Sequence, residues 1–167
     1  MKLDDTANAA TDQSEPVPRV VLDTNVCLDL FVFRDPRWAL LLDAMRTGSI
    51  DAVTREDCRR EWQIVLGYAH LPLEASGRAA VEAEFDGLIR CVPLAEFVEP
   101  SVRLPICKDS DDQKFVEAAY QVRADVLITK DKALLKLARR HERLELCAIM
   151  NPEAWVALNI ALTAEPN

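Results

Sequence analysis

Four acidic residues spaced widely along the 167-residue chain stand at positions where a fold could gather them: Asp23, Glu61, Asp112 and Asp131. Asp23 directly follows the apolar run Arg19-Val-Val-Leu22, and Asp131 comes two residues after the run Asp125-Val-Leu-Ile-Thr129. Asp112 precedes Phe115 by three residues and Ala119 by seven, which puts it on the inward side of a helix start. Glu61 adjoins Trp62 at the border of an apolar helix face. Carboxylates converging on one place repel unless a cation binds between them. Hard oxygen donors without histidine or cysteine select Mg2+ or Mn2+. Such ions suit phosphodiester cleavage, one activating water and another stabilising the leaving oxygen. Each acid also has an ordinary use. Asp23 fits a helix cap, Asp112 and Asp131 fit first-turn acids favoured by the helix dipole, and Glu61 fits a solvated helix residue.

Thr24, Asn25 and Thr129 are candidates for orienting these carboxylates by hydrogen bonds, with plain capping as the alternative. Lys108, Lys130 and Lys132 flank the acidic segments as candidate phosphate contacts, and solvated surface lysines are the simpler reading. Asp109 and Asp111 could touch a metal through water or be loop residues. The run Asp109-Ser-Asp-Asp112 leaves Asp111 or Asp112 as principal ligand, and the spacing to Phe115 and Ala119 favours Asp112.

The elements that would position these groups alternate. Arg19–Leu22 reads as a buried strand, and a helix follows Asp23-Thr24-Asn25. Pro36 opens a helix bearing Trp38, Leu41, Leu42 and Met45, stopped by Gly48. Ile50–Val53 is a second strand. Thr54 is expected to cap the next helix in a box with Asp57, and Cys58, Trp62, Val65, Leu66 and Ala69 share its apolar face. A helix over 74–90 leads to an edge strand at Cys91–Leu94, where Pro93 is tolerated. A helix from about 111, a strand over Asp125–Thr129, a helix with Leu134, Leu135 and Ala138, and a strand over Leu144–Ile149 follow. Asn151 and Pro152 begin the last helix. Strands alternating with helices imply an α/β protein, a parallel sheet covered on both faces. Ligands of such sheets bind beyond the carboxyl ends of the strands, the rim on which Asp23 and Asp131 fall.

The chain is expected to hold one domain over 19–160, between a tail at 1–18 and a short tail at 161–167. Half of the residues are apolar, which excludes a disordered chain. No apolar run reaches the roughly 20 residues of a membrane span, and the first residues carry acids rather than a signal core. The five cysteines lack any CxxC pair and read as core residues of a reduced, cytoplasmic protein. With two histidines, a zinc site is not expected. The net charge is −8, of which residues 1–18 carry −3; setting the four acids aside leaves the body at −1. Negative charge gathered in one place suits a cation pocket, while general affinity for polyanions is not expected.

The segments VVLDTN at 20–25, TREDCRREWQIVL at 54–66, KDSDDQKFVEAA at 108–119 and ADVLITKDKALLKL at 124–137 resemble the ordered motifs of PIN domains. The subgroup they resemble is the toxin components of bacterial toxin–antitoxin pairs. The resemblance covers roughly residues 19–156. It implies a three-layer α/β/α sandwich around a five-stranded parallel sheet of order 3-2-1-4-5. It implies a metal site of Asp23, Glu61, Asp112 and Asp131, supported by Asn25 and Thr129. It further implies Mg2+- or Mn2+-dependent hydrolysis of single-stranded RNA, a small antitoxin partner that covers the acidic cleft, and a homodimer. A PIN module without catalysis, acting by protein or RNA binding, is the alternative. A dehalogenase-like phosphatase would need an acid where Asn25 stands, and a receiver domain would need an acidic pair at its first strand, which begins Arg19-Val20-Val21.

Overall fold

The computed structural model describes residues 14–164. Strands β1 (Arg19–Leu22), β2 (Asp51–Arg55), β3 (Arg90–Val92), β4 (Val126–Ile128) and β5 (Ala148–Met150) form one sheet of order β3-β2-β1-β4-β5. Every neighbouring pair is parallel. Helices α1 (Thr24–Phe31), α2 (Ala39–Arg46), α3 (Glu56–Leu66), α4 (Ala75–Leu88), α5 (Gln113–Gln121), α6 (Lys132–Leu135), α7 (Ala138–Arg143) and α8 (Pro152–Ala164) complete the order. Short 3-10 turns lie at Pro36–Trp38, Leu94–Glu96 and Ser110–Asp112. This is the expected α/β/α sandwich.

The strand residues alternate between two cores because successive side chains point to opposite faces. Val20, Leu22, Ala52 and Ile128 join Val26, Leu30, Leu41, Trp62 and Phe85 on one face. Val21, Val53, Leu127 and Ile149 join Phe115, Val116, Ala119 and Leu134 on the other. Both faces are covered, so the middles of the central strands are apolar, as buried parallel strands require. In α3, Cys58, Trp62 and Leu66 recur every four residues and are buried. The Phe31, Trp62 and Phe85 rings meet at 5.0–6.0 Å between centroids, tying α1, α3 and α4 together. Such contacts add about 0.5–1.5 kcal/mol per pair to the burial itself, and they fix the helix that carries Glu61.

Several boundaries differ from expectation. Thr54 does not cap a helix: it lies inside β2, which runs on to Arg55, and the Asp57 carboxylate accepts the Cys58 N–H instead of closing a box. β3 ends before Pro93, and β5 begins only at Ala148. Leu144 caps α7, and Glu145 has a positive φ of 55° that turns the chain toward β5. The helix expected to carry Leu134, Leu135 and Ala138 breaks into α6 and α7. Gly48, with φ of 73°, ends the α2 region as expected, in a conformation that side chains disfavour. Asn151 accepts the Ala154 N–H at 2.8 Å and caps α8. That helix runs through Ala164, past the boundary expected at 160. Of the expected tails, residues 1–13 and 165–167 lie outside the described residues; Pro18 already joins the sheet by accepting the Asp51 N–H.

Candidate active site

The strand order reverses at β1, which has β2 on one side and β4 on the other. The crevice beyond the carboxyl ends of β1 and β4 is therefore the switch point at which ligands of such sheets bind. The Asp23 N–H donates to the Ile128 carbonyl at 2.9 Å, extending the ladder one step past both strands. That bond puts Asp23 directly beside Thr129.

Asp23 is 3% exposed. It occupies the cap position of α1, yet its carboxylate makes no capping hydrogen bond there. Instead Oδ2 accepts the Thr129 hydroxyl at 2.7 Å. Thr129, itself fully buried, accepts the Asp131 N–H at 2.9 Å through the same oxygen, so one hydroxyl ties the two acids together. Burial pushes the Asp23 carboxyl above its usual range; Thr129 and the Thr24 N–H oppose this, and the charges of Glu61 and Asp131 add to it.

Asp131 does cap its helix: Oδ1 accepts the N–H groups of Ala133 at 2.7 Å and Leu134 at 3.2 Å. Capping and ligation are compatible here, since among the described hydrogen bonds Oδ2 accepts none. Asp112 stands at the cap position of α5, one residue earlier than a first-turn acid, and forms no capping bond. It is half-buried, and its carboxyl is pushed up to about 7 by burial and by the charges of Asp23, Asp131, Asp109 and Glu61. Asp111 is exposed, so placement favours Asp112 over its neighbour. Asp109 accepts the Asp111 N–H at 3.0 Å, bracing the turn before α5.

Glu61 reaches the site from α3. Its Oε2 accepts the Thr24 hydroxyl, and its Oε1 accepts Lys114 Nζ at 2.9 Å. Lys114 was not among the candidates read from sequence. It also donates to the Asp111 carbonyl and lies 5.4 Å from the Phe115 ring centroid. One signal could have found it. A lysine in the first turn of a helix opposes the helix dipole unless a nearby acid compensates.

The remaining candidates are placed less closely. Asn25 is exposed, and among the described hydrogen bonds its side chain makes none to a site acid. Lys130 pairs with Asp29 at 2.7 Å, while Lys108 and Lys132 are exposed. A cavity of about 580 Å3, lined by Val116, Tyr120, Asp125, His141 and Cys147 among others, opens at the amino ends of β4 and β5. None of the four acids lines it, and the carboxylate chemistry outweighs cavity size as a guide to the site.

Among the described residues, no three acids, histidines or cysteines are drawn close enough to hold an ion as they stand. Four like charges repel one another, and Glu61 is held aside by Thr24 and Lys114. The donor chemistry nonetheless fits a hard divalent cation. All four groups are carboxylates, and among the described hydrogen bonds those of Asp112 and Oδ2 of Asp131 accept none.

A doubly wound parallel sheet with acids at its switch point defines a class of α/β protein, and a family narrows it. The family model described as PIN domain matches residues 19–133, and the chain belongs to that family. PIN domains are generally metal-dependent nucleases and usually bind divalent metals. No curated protein matches the chain. Among the described residues no helix is long and apolar enough to cross a membrane.

Proposed function

We propose that this chain is a Mg2+- or Mn2+-dependent endoribonuclease that cuts single-stranded RNA by attack of water on phosphorus, leaving a 5′-phosphate and a 3′-hydroxyl. The carrying observation is the treatment of Asp23. A buried carboxylate that neither caps its helix nor meets a cation, but is linked through Thr129 to Asp131, makes sense as a ligand. Asp23, Asp112, Asp131 and Glu61 would hold the metal. When bound, it supplies Lewis-acid stabilisation of the phosphate and a more acidic water. Thr129 orients Asp23, Thr24 orients Glu61, and the α6 N–H groups fix Asp131. Exposed Lys108 and Lys132 are the candidates for contacting phosphates that flank the cleaved bond.

The test is cleavage of a fluorescent single-stranded RNA with Mg2+ or Mn2+, with and without chelator. The wild-type chain should cut and leave ligatable 5′-phosphate ends, and Asp23→Asn should not. Equal cleavage by the variant would reject the site.

The resemblance supports a toxin role. Under that reading the chain works in the cytoplasm with a small antitoxin whose segment covers the acidic cleft, and a short neighbouring reading frame encoding such a protein would support it. A homodimer would need exposed apolar surface of the kind that Leu158, Ile160 and Leu162 of α8 present. Sedimentation analysis tests it. The second reading, a PIN module acting by binding alone, is favoured by one observation: Lys114 already engages Glu61. Under that reading RNA or protein binding persists and no metal-dependent cleavage occurs.

A further inference from the structure

We infer that Lys114 is a built-in counter-cation that competes with a divalent ion for Glu61 and thereby sets the affinity of the proposed metal site. The inference rests on the metal-site reading above. Both Glu61 oxygens are engaged, Oε2 by the Thr24 hydroxyl and Oε1 by Lys114 Nζ at 2.9 Å. The ammonium is fixed from two further sides: it donates to the Asp111 carbonyl, and it lies against the Phe115 ring. Both partners are largely shielded, the lysine side chain 19% and the glutamate 29% exposed.

Among the described ion pairs, this is the only one made by any of the four acids. Lys114 therefore offsets one negative charge within the four-carboxylate cluster. A dication that ligates Glu61 must take an oxygen from the ammonium and come close to its positive charge. Competition and repulsion act in the same direction, weakening the site. In return the ammonium eases the repulsion among the clustered acids. α3 and α5 are cross-linked a second time by Arg55, which joins Asp57 at 2.8 Å and Glu117 at 2.9 Å. Glu61 lies one turn beyond Asp57, and Lys114 lies one turn before Glu117. The buried Arg55 bridge keeps the helices in place, so the Lys114 bridge can open without separating them.

Calorimetric titration of the full chain with Mn2+ tests this. Lys114→Met should bind Mn2+ more tightly by about threefold or more, the scale of a partly shielded ion pair. Lys114→Arg, which keeps the charge, should stay near wild type. The gain should vanish in a Glu61→Gln background, an outcome that a merely structural lysine would not give. Unchanged or weaker Mn2+ binding by Lys114→Met overturns the inference and leaves the metal site standing. Absence of Mn2+ binding in wild type and variant alike overturns both. A measurement free of substitutions is the NMR signal of the Lys114 ammonium as Mg2+ is added: it should shift and exchange faster, and an unmoved signal overturns the inference.

Discussion

The two rims of the sheet treat their carboxylates in opposite ways. At the amino-terminal rim, Asp51 is held by Arg19 at 3.3 Å and by Arg90 at 2.7 Å, and Asp125 accepts the Arg19 N–H at 2.7 Å. Asp51 there has cations of its own, Asp125 is met by a backbone N–H, and both fasten neighbouring strands. At the carboxyl-terminal rim, among the described ion pairs of Asp23, Glu61, Asp112 and Asp131, only Glu61 has a cation, Lys114. Asp23, Glu61 and Asp131 are otherwise steadied by hydroxyls and N–H groups, which orient a carboxylate without cancelling its charge. An acid with its own cation is part of the scaffold; a cluster left short of cations is poised to take one from solution.

The largest effect that would sharpen this contrast is on catalysis. Asp23→Asn should lower RNA cleavage on the order of a thousandfold or more, as expected for loss of a metal ligand. The same change should raise the thermal midpoint near pH 8, because the ionised carboxyl is the disfavoured form in the folded protein. A lowered midpoint would break the contrast, since it would make Asp23 a scaffold acid.

Arg55→Met comes next. Arg55 is 1% exposed and bridges Asp57 and Glu117, so its removal should cost about 3 kcal/mol in denaturant unfolding. The cost sits at the lower end for a broken buried pair because both acids keep some access to water. Thr129→Val should follow, with a loss of about 10–100-fold in metal affinity or activity, the usual effect of removing a group that orients a ligand. Metal titration and single-turnover cleavage would measure it.

The pH dependence of stability has a definite sign. Asp112 titrates near 7 in the folded protein against 3.8 unfolded. Over that window the unfolded chain loses its proton first, so stability should fall as pH rises from about 4 to about 7 and level off above. Asp112→Asn should flatten this slope in thermal melts without metal, and an unchanged slope would contradict the assignment. The smallest effect belongs to the other rim. Asp51→Asn should cost no more than about 1 kcal/mol, as for partly exposed ion pairs, and leave cleavage unchanged.

What the sequence revealed follows the same division. β1 and the acid after it were legible because a run of buried apolar residues ending in aspartate needs only local information. Asp131 was legible for the same reason. Arg55 was not. A buried arginine at the end of β2 is tolerated because Asp57 and Glu117 both meet it, and no local pattern announces Glu117, 62 residues away. Thr54 was therefore assigned to a helix cap. Lys114 escaped similarly, its partner Glu61 lying 53 residues back. Asn25 was a candidate for orienting the acids, as the family resemblance implies. Helical phase decides otherwise, turning Thr24 inward and Asn25 to solvent. The early end of α7 and the short β5 depend on the left-handed turn at Glu145, which no glycine marks.

Anomalous diffraction from crystals grown with Mn2+ addresses the central claim most directly. The account predicts a manganese peak at the carboxyl-terminal rim, about 2.0–2.3 Å from oxygens of Asp23 and Asp131. Crystals carrying manganese only elsewhere, beside Asp51 or in the cavity near His141, would contradict it.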